Sequence, residues 1–185
     1  MLVGSRLQGH RNRLRLVFIL MKNEVIESLE SQATHELAAS QAYLAMSCWC
    51  EVAHYSGYAE FFRQQSAEEI SHANKLLGFL VERDVVPAIG AIPAPAHAFE
   101  SILAVAKLAC DLERANTSGI HACYKASLVA EDYPTQVMLH WFIAEQVEEE
   151  AWSDKMLAKT KQASCAGALT YLDRHIIKEL AGSGS

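Results

Sequence analysis

A proline-rich segment near the middle of this chain limits its possible folds more than any other feature. Pro87, Gly90, Pro93 and Pro95 lie close together between two regions of helical periodicity. Proline lacks the backbone N–H that a helix interior requires, so the segment is predicted to be non-helical. Fully extended, its roughly fourteen residues would span about 45 Å. The chain therefore consists of two helical halves joined by a link long enough to cross a small domain.

Apolar residues recur at helical spacing on both sides of this link. The dipeptide Ser56-Gly57 is expected to break the first half into two helices, and Gly167 to end the fourth helix. The pattern predicts four long helices and a short fifth one, at about 23–52, 58–83, 99–130, 133–162 and 168–180.

The lengths of the links predict how these helices are arranged. Short links within each half favour two antiparallel hairpins, and a helix of about twenty-eight residues is roughly 42 Å long. The proline-rich link can therefore run the whole length of a hairpin, which leaves helices two and three parallel. The predicted fold class is all-α: a four-helix bundle with one long crossover between helices two and three, plus a short C-terminal fifth helix.

Composition excludes several other kinds of protein. The chain is 51% hydrophobic and has only nine glycines and four prolines, which rules out a disordered or collagen-like chain. No apolar run is long enough to cross a membrane. The five cysteines are odd in number and lie within helical patterns, so we expect a reducing compartment, the cytoplasm.

The charge is unevenly distributed along the chain. Five basic residues and no acidic one precede Glu24, whereas the remainder holds 11 basic and 22 acidic residues. Residues 1–21 are expected to be a basic N-terminal extension that is disordered, or absent if translation begins at Met21. Residues 22–181 are expected to form the bundle domain. Its acidic character argues against nucleic acid as a partner and favours metal cations.

Acidic residues occupy the heptad columns in which a bundle core normally has apolar residues. Glu36, Glu69, Glu113 and Glu149 each have an apolar residue seven positions before and after, and His72 shares the face of Glu69. In each predicted hairpin, the turn lies near the midpoint of the sequence between the two glutamates, so both glutamates are about equally far from the turn. The pattern therefore predicts four carboxylates and an imidazole at one level of the bundle.

Each of these residues alone would more often be a salt-bridge partner or an ordinary core histidine. Five at one depth favour metal binding, because bare carboxylates that share a dry interior lose hydration and repel one another. Glutamates with one imidazole suit two iron or manganese ions and are too rich in carboxylate for structural zinc. The neighbouring residues Glu68, Glu145 and Glu148 form either a solvated surface or a third metal position, and their spacing leaves both open.

Several short stretches together resemble the bacterial non-haem ferritins over about residues 22–180. They are His35-Glu36-Leu37 with Tyr43 following, Glu68-Glu69-Ile70-Ser71-His72, Glu113, Glu131-Asp132-Tyr133-Pro134-Thr135, and Trp141 followed by Glu145-Gln146-Val147-Glu148-Glu149-Glu150. The resemblance implies a ferritin-like bundle that assembles as a homo-oligomer of 24 subunits into a hollow shell. It further implies storage of ferric mineral in that shell.

The resemblance also implies a ferroxidase centre, which oxidises Fe(II) to Fe(III) with dioxygen or peroxide. Ile70 stands where the haem-carrying bacterioferritins have a methionine ligand, so no haem is expected. The same resemblance implies the site residues. One iron would be held by Glu36, Glu69 and His72, and a second by Glu69 as bridge with Glu113 and Glu149, with Gln146 nearby. A third would be held by Glu68, Glu145 and Glu148 with Glu149 shared, and Tyr43 and Trp141 would be aromatic residues beside the centre.

Two other functions compete with iron storage. A di-iron oxidase or peroxidase of the rubrerythrin type would use the same ligands without storing mineral, but it normally carries cysteine pairs spaced Cys-x-x-Cys, which this chain lacks. A metal-free interaction bundle would instead place the acidic residues at its surface.

Overall fold

The computed structural model describes residues 21–180, so most of the predicted basic extension lies outside the described residues. The chain forms α1 (Asn23–Val52), α2 (Ser56–Glu82), α3 (Ile102–Ala130), α4 (Tyr133–Gln162) and α5 (Ala166–Leu180). No strand occurs between residues 21 and 180, which confirms the all-α prediction. None of these helices combines the length and the apolar composition needed to cross a membrane.

The turn between α1 and α2 lies earlier than the sequence pattern predicted. Helix α1 ends at Val52, and Ser56 and Gly57 already belong to the first turn of α2. The reversal is made by His54, whose φ of 64° lies in the left-handed region. The Tyr55 N–H donates to the Cys50 carbonyl at 2.8 Å and closes the end of α1. Gly57 is therefore not the residue that turns the chain.

Local hydrogen bonds also set the other helix ends. Helix α3 begins at Ile102, three residues later than expected, because the Ser101 hydroxyl accepts the Ala104 N–H at 3.2 Å. The Asp132 carboxylate caps α4 through the Thr135 N–H at 3.3 Å and pairs with Arg83 at 3.1 Å. Gly167 lies inside α5 rather than ending the region of α4.

The long link runs along the outside of α1. The backbone N–H of Ala88 donates to Glu30 at 2.8 Å, and that of Gly90 donates to Thr34 at 3.0 Å. Farther along the link, Phe99 packs against Trp49, near the other end of α1, with ring centroids 5.7 Å apart. The link therefore crosses most of the length of the bundle, as its predicted span allowed.

Two apolar clusters fill the two ends of the bundle interior. One joins the C-terminal half of α1 with the starts of α2 and α3, the end of α4 and helix α5. The other joins the start of α1 with the ends of α2 and α3 and the start of α4. Since α2 and α3 begin in the same cluster, they are parallel, which confirms the bundle with one long crossover.

Helix α5 packs against α2 and α4 at one end of the bundle. Its buried Asp173 accepts the backbone N–H groups of Gly57 at 2.9 Å and Tyr58 at 3.1 Å. A Cβ on Gly57 would lie 1.8 Å from the Asp173 carbonyl oxygen, so only glycine permits this approach. Asp173 therefore caps α2 from a distant part of the chain.

Replacing Asp173 with alanine is expected to destabilise the protein by about 1–3 kcal/mol, because two backbone donors lose their acceptor. The urea midpoint of unfolding, followed by circular dichroism, measures this loss. Asp173→Asn keeps an acceptor oxygen and is expected to lose less than half as much. Equal midpoints for the wild type and Asp173→Ala would contradict the capping role.

Candidate metal centre

A layer of buried carboxylates separates the two apolar clusters. Glu36, Glu69, Glu113 and Glu149 come from α1, α2, α3 and α4 respectively, and none is more than 5% exposed. His72, one turn beyond Glu69, is buried in the same layer. The heptad pattern predicted the burial of these five residues, and the structure confirms it.

Neutral side chains supply hydrogen bonds to two of the carboxylates. The Glu69 carboxylate accepts the Asn116 amide N–H at 3.2 Å and lies 3.3 Å from His72 Nδ1. The Gln32 amide donates to Glu36 at 2.8 Å. Gln32 and Asn116 also approach each other at 3.5 Å, so the polar contacts link α1, α2 and α3.

Aromatic donors hold the other two carboxylates. The Tyr43 hydroxyl donates to Glu113, and the Trp152 indole N–H donates to Glu149. Burial raises the pKa of the Tyr43 phenol well above its ordinary value, so it keeps the proton that it donates. One oxygen of Glu113 and one of Glu149 are therefore each held by an aromatic side chain.

Some polar atoms of the layer have no hydrogen-bond partner. Within residues 21–180, they include Oε2 of Glu36, Oε2 of Glu113 and Nε2 of Gln146. Unpaired buried oxygens of this kind cost free energy that a bound cation would recover. The layer therefore offers acceptors to a ligand that the protein itself does not supply.

The electrostatics of the layer favour protonated carboxyl groups when no cation is bound. Burial, and then the charge of Glu69, raises the pKa of Glu36 to about 9. Burial and the charge of Glu113 raise the pKa of Glu149 to about 9. Burial raises the pKa of Glu113 to about 7 and that of Glu69 well above its ordinary value. In the described part of the chain, no lysine or arginine forms an ion pair with any of these glutamates.

The predicted ligands fall into two groups in space. Glu36, Glu69 and His72 each offer an atom within 4.8 Å of the others, as the assignment of the first iron requires. Glu68, His72, Glu145 and Glu149 form a second group with the same spacing. Among the described residues, Glu113 belongs to neither group; one of its oxygens accepts the Tyr43 hydroxyl, and the other has no hydrogen-bond partner.

The second group differs from the third iron site that the resemblance implied. It contains His72 in place of Glu148, which is exposed and lies outside both groups. Glu149, which belongs to the second group, also accepts the indole N–H of Trp152.

Sequence reasoning missed three residues that contact the layer: Gln32, Asn116 and Trp152. A signal for them existed, because each lies one helical turn from a predicted glutamate. Gln32 precedes Glu36 by four residues, and Asn116 and Trp152 follow Glu113 and Glu149 by three. Trp141, which was predicted beside the centre, packs edge-on against His72 with ring centroids 5.5 Å apart.

The chain is similar in sequence and fold to known proteins. The profile of the ferritin-like domain matches residues 26–163. The bacterial non-heme ferritin of Staphylococcus haemolyticus (strain JCSC1435) is 35% identical over 132 residues, which cover 71% of this chain and 80% of that protein. The protein of the same name from Staphylococcus aureus (strain MRSA252) matches with the same identity and coverage.

Solved structures agree with the sequence comparison. An open pore ferritin from the hyperthermophilic archaeon Archaeoglobus fulgidus superposes with a TM-score of 0.81 at 28% identity, covering 89% of this chain and 98% of that one.

Proposed function

This chain belongs to the ferritin family, and from that premise we propose that it stores iron and oxidises Fe(II) at the buried carboxylate layer. The observation that carries the proposal is the burial of four glutamates between two apolar clusters, with no lysine or arginine paired to them among the described residues. Such a layer is stable in its ionised form only when divalent cations neutralise it. In the proposed function, the substrate Fe(II) is itself the divalent cation that neutralises the layer.

We assign the predicted ligands to iron as follows. Glu36, Glu69 and His72 bind one Fe(II), and their mutual spacing supports this assignment. Glu69 bridges to the second Fe(II), which Glu113 and Glu149 bind after they turn away from Tyr43 and Trp152. We assign Gln146 to the vicinity of this position, and its buried Nε2 without a hydrogen-bond partner supports that assignment. Two Fe(II) ions about 3.5–4 Å apart can then react together with one oxidant molecule.

The electron balance of the reaction follows from this pairing. Each Fe(II) gives up one electron and becomes Fe(III). Dioxygen that takes both electrons and two protons leaves as hydrogen peroxide, whereas peroxide that takes them yields two waters. Binding of Fe(II) displaces the protons that the raised pKa values keep on Glu36 and Glu149 at neutral pH. Carboxylate ligands also favour Fe(III) over Fe(II), because hard anions stabilise the higher charge.

The second group is proposed as a weaker iron position next to the pair. Glu68, Glu145 and Glu149 supply its oxygens, and the exposed Glu148 extends its acidic surface. Clustered negative charge raises the local concentration of cations and speeds their arrival. This position therefore connects the buried pair with solvent.

We further propose that the chain assembles into a hollow shell of 24 subunits that holds the ferric mineral.

Ile70 cannot ligate iron, so no haem is expected at the methionine position of the bacterioferritins. The cytoplasm is the compartment that the cysteine pattern predicts, and all five cysteines are free thiols.

Aerobic loading with Fe(II) tests iron storage directly. The purified oligomer is expected to oxidise Fe(II) far faster than buffer and to retain hundreds of iron atoms or more after gel filtration. Retention of only about two irons per chain in a small oligomer would instead identify a di-iron oxidase of the rubrerythrin type. Oxidation at the rate of buffer, with no iron retained, would contradict both functions.

A further inference from the structure

A lysine and a tryptophan form a close pair beside His72. The Lys75 ammonium lies 3.5 Å from the centre of the Trp141 ring, a distance typical of a cation–π contact. The Trp141 ring in turn packs edge-on against the His72 ring, with an interplanar angle of 75°. Phe142 packs edge-on against the Trp141 ring at a centroid distance of 4.8 Å. Trp141 therefore fixes a positive charge close to a proposed iron ligand.

The spacing of these residues along α2 and α4 shows on which side of the second group the Lys75 charge lies. Lys75 follows His72 by three residues on α2, whereas Glu68 precedes it by four. On α4, which is antiparallel to α2, Trp141 precedes Glu145 by four residues. The pair therefore covers one side of His72, and the carboxylates of Glu68 and Glu145 lie on the other.

The ammonium of Lys75 is not neutralised by a neighbouring acid. Within residues 21–180, no carboxylate oxygen lies within 4.0 Å of its nitrogen. The Lys75 nitrogen lies 3.5 Å from the centre of the Trp141 ring, and that centre lies 5.5 Å from the centre of the His72 ring. The ammonium is therefore no more than about 9 Å from the centre of the His72 ring. At that separation, a fixed charge repels a divalent cation measurably even when water screens it.

We propose that Lys75, held by Trp141, is a positioning residue that lowers the affinity of the second group for divalent cations and directs them past Glu68 and Glu145. This inference rests on the proposed function, because it assumes that His72 and its acidic neighbours bind iron. The charge weakens binding at the Trp141 side, so oxidised iron leaves the second group more readily. The acidic side remains the favourable route for cations.

Titration of the whole oligomer with Co(II) tests this proposal, because Co(II) is a divalent first-row metal ion that binds the same kinds of donor atom as Fe(II). Lys75→Met keeps most of the aliphatic stem and removes the charge. It is expected to bind Co(II) about five-fold more tightly than the wild type at low salt. The difference is expected to shrink in high salt, since ions screen exposed charges.

Two variants serve as controls. Lys75→Arg keeps a cation that stacks on an indole and is expected to retain the affinity of the wild type. Lys107→Met removes the same charge from an exposed lysine that pairs with Asp111 at 2.7 Å, and it is expected to leave the affinity unchanged. Lys75→Met is also expected to have a smaller effect in a Trp141→Leu background, since the ring no longer holds the ammonium.

A kinetic measurement separates this role from a purely structural one. In Lys75→Met, the rate of later turnovers of Fe(II) oxidation is expected to fall about five-fold relative to that of the first, in line with the tighter binding. Equal Co(II) affinities for the wild type and Lys75→Met, or an equal gain in Lys107→Met, would overturn the inference while leaving the proposed function intact. Failure of the wild type to bind Co(II) at all would overturn both.

Discussion

Replacing Glu69 with alanine is expected to reduce the initial rate of aerobic Fe(II) oxidation by at least about a hundred-fold, because one carboxylate serves both proposed iron positions. Glu69 is buried at the centre of the layer and contacts Asn116 and His72. Loss of its carboxylate removes one ligand from the first iron and the bridge to the second. The appearance of ferric absorbance after Fe(II) addition measures the rate.

A matched control separates the role of Glu69 from a general loss of negative charge. Glu60 is an exposed glutamate on the same helix, and Glu60→Ala is expected to keep the rate of the wild type. Glu69→Gln preserves the shape of the side chain and is expected to be as inactive as Glu69→Ala, since a neutral amide is a poor bridge. A Glu69→Ala variant that kept more than half of the rate would refute this ligand assignment.

The metal-free protein is expected to lose stability as the pH rises from about 5 to 9, and divalent cations are expected to reverse that loss. The pKa values of Glu36 and Glu149 in the folded protein are about 9, above their ordinary value of 4.5. The folded state thus holds protons that the unfolded state has released. This contribution is complete below the unfolded pKa and is lost as the pH passes through the folded pKa.

The size of the effect can be measured by calorimetry in the presence of a chelator. A fall in Tm on the order of 10 °C corresponds to a few kcal/mol for a chain of this length. Co(II) is expected to raise Tm more at pH 8 than at pH 5, because protons compete with the cation for the same oxygens. The double variant Glu36→Gln, Glu149→Gln is expected to show a much flatter dependence on pH. A metal-free Tm that rose steadily from pH 5 to pH 9 would contradict this account.

Helical periodicity predicted the fold well because the helices are long and their apolar faces are regular. The predicted bounds of α1 agree with Asn23–Val52, and the predicted end of α4 agrees with Gln162. The function of Gly57 could not be predicted, because the group that requires it, Asp173, lies 116 residues away. The local sequence shows that residue 57 is a glycine, but it does not show which distant part of the chain packs against that glycine.

The burial of the layer was predictable, but its detailed contacts were not. Residues seven positions from Glu36 or Glu113 are apolar, which indicates the depth of each helix face. The bond from Tyr43 to Glu113 depends instead on side-chain rotamers and on how closely α1 approaches α3. Glu148 lies outside both groups for a reason that the sequence does contain, because a shift of one residue from Glu149 turns a side chain by about 100° around the helix.

The division of the interior into two apolar clusters has a consequence for how the protein unfolds. Each cluster can open as a cooperative unit of its own when the layer between them is protonated or hydrated. Amide hydrogens at the two ends of the same helix would then exchange with different protection factors. Cations bound at the proposed positions by residues of all four helices would hold the two units together, so we expect the metal-loaded chain to melt in one step and the metal-free chain in two.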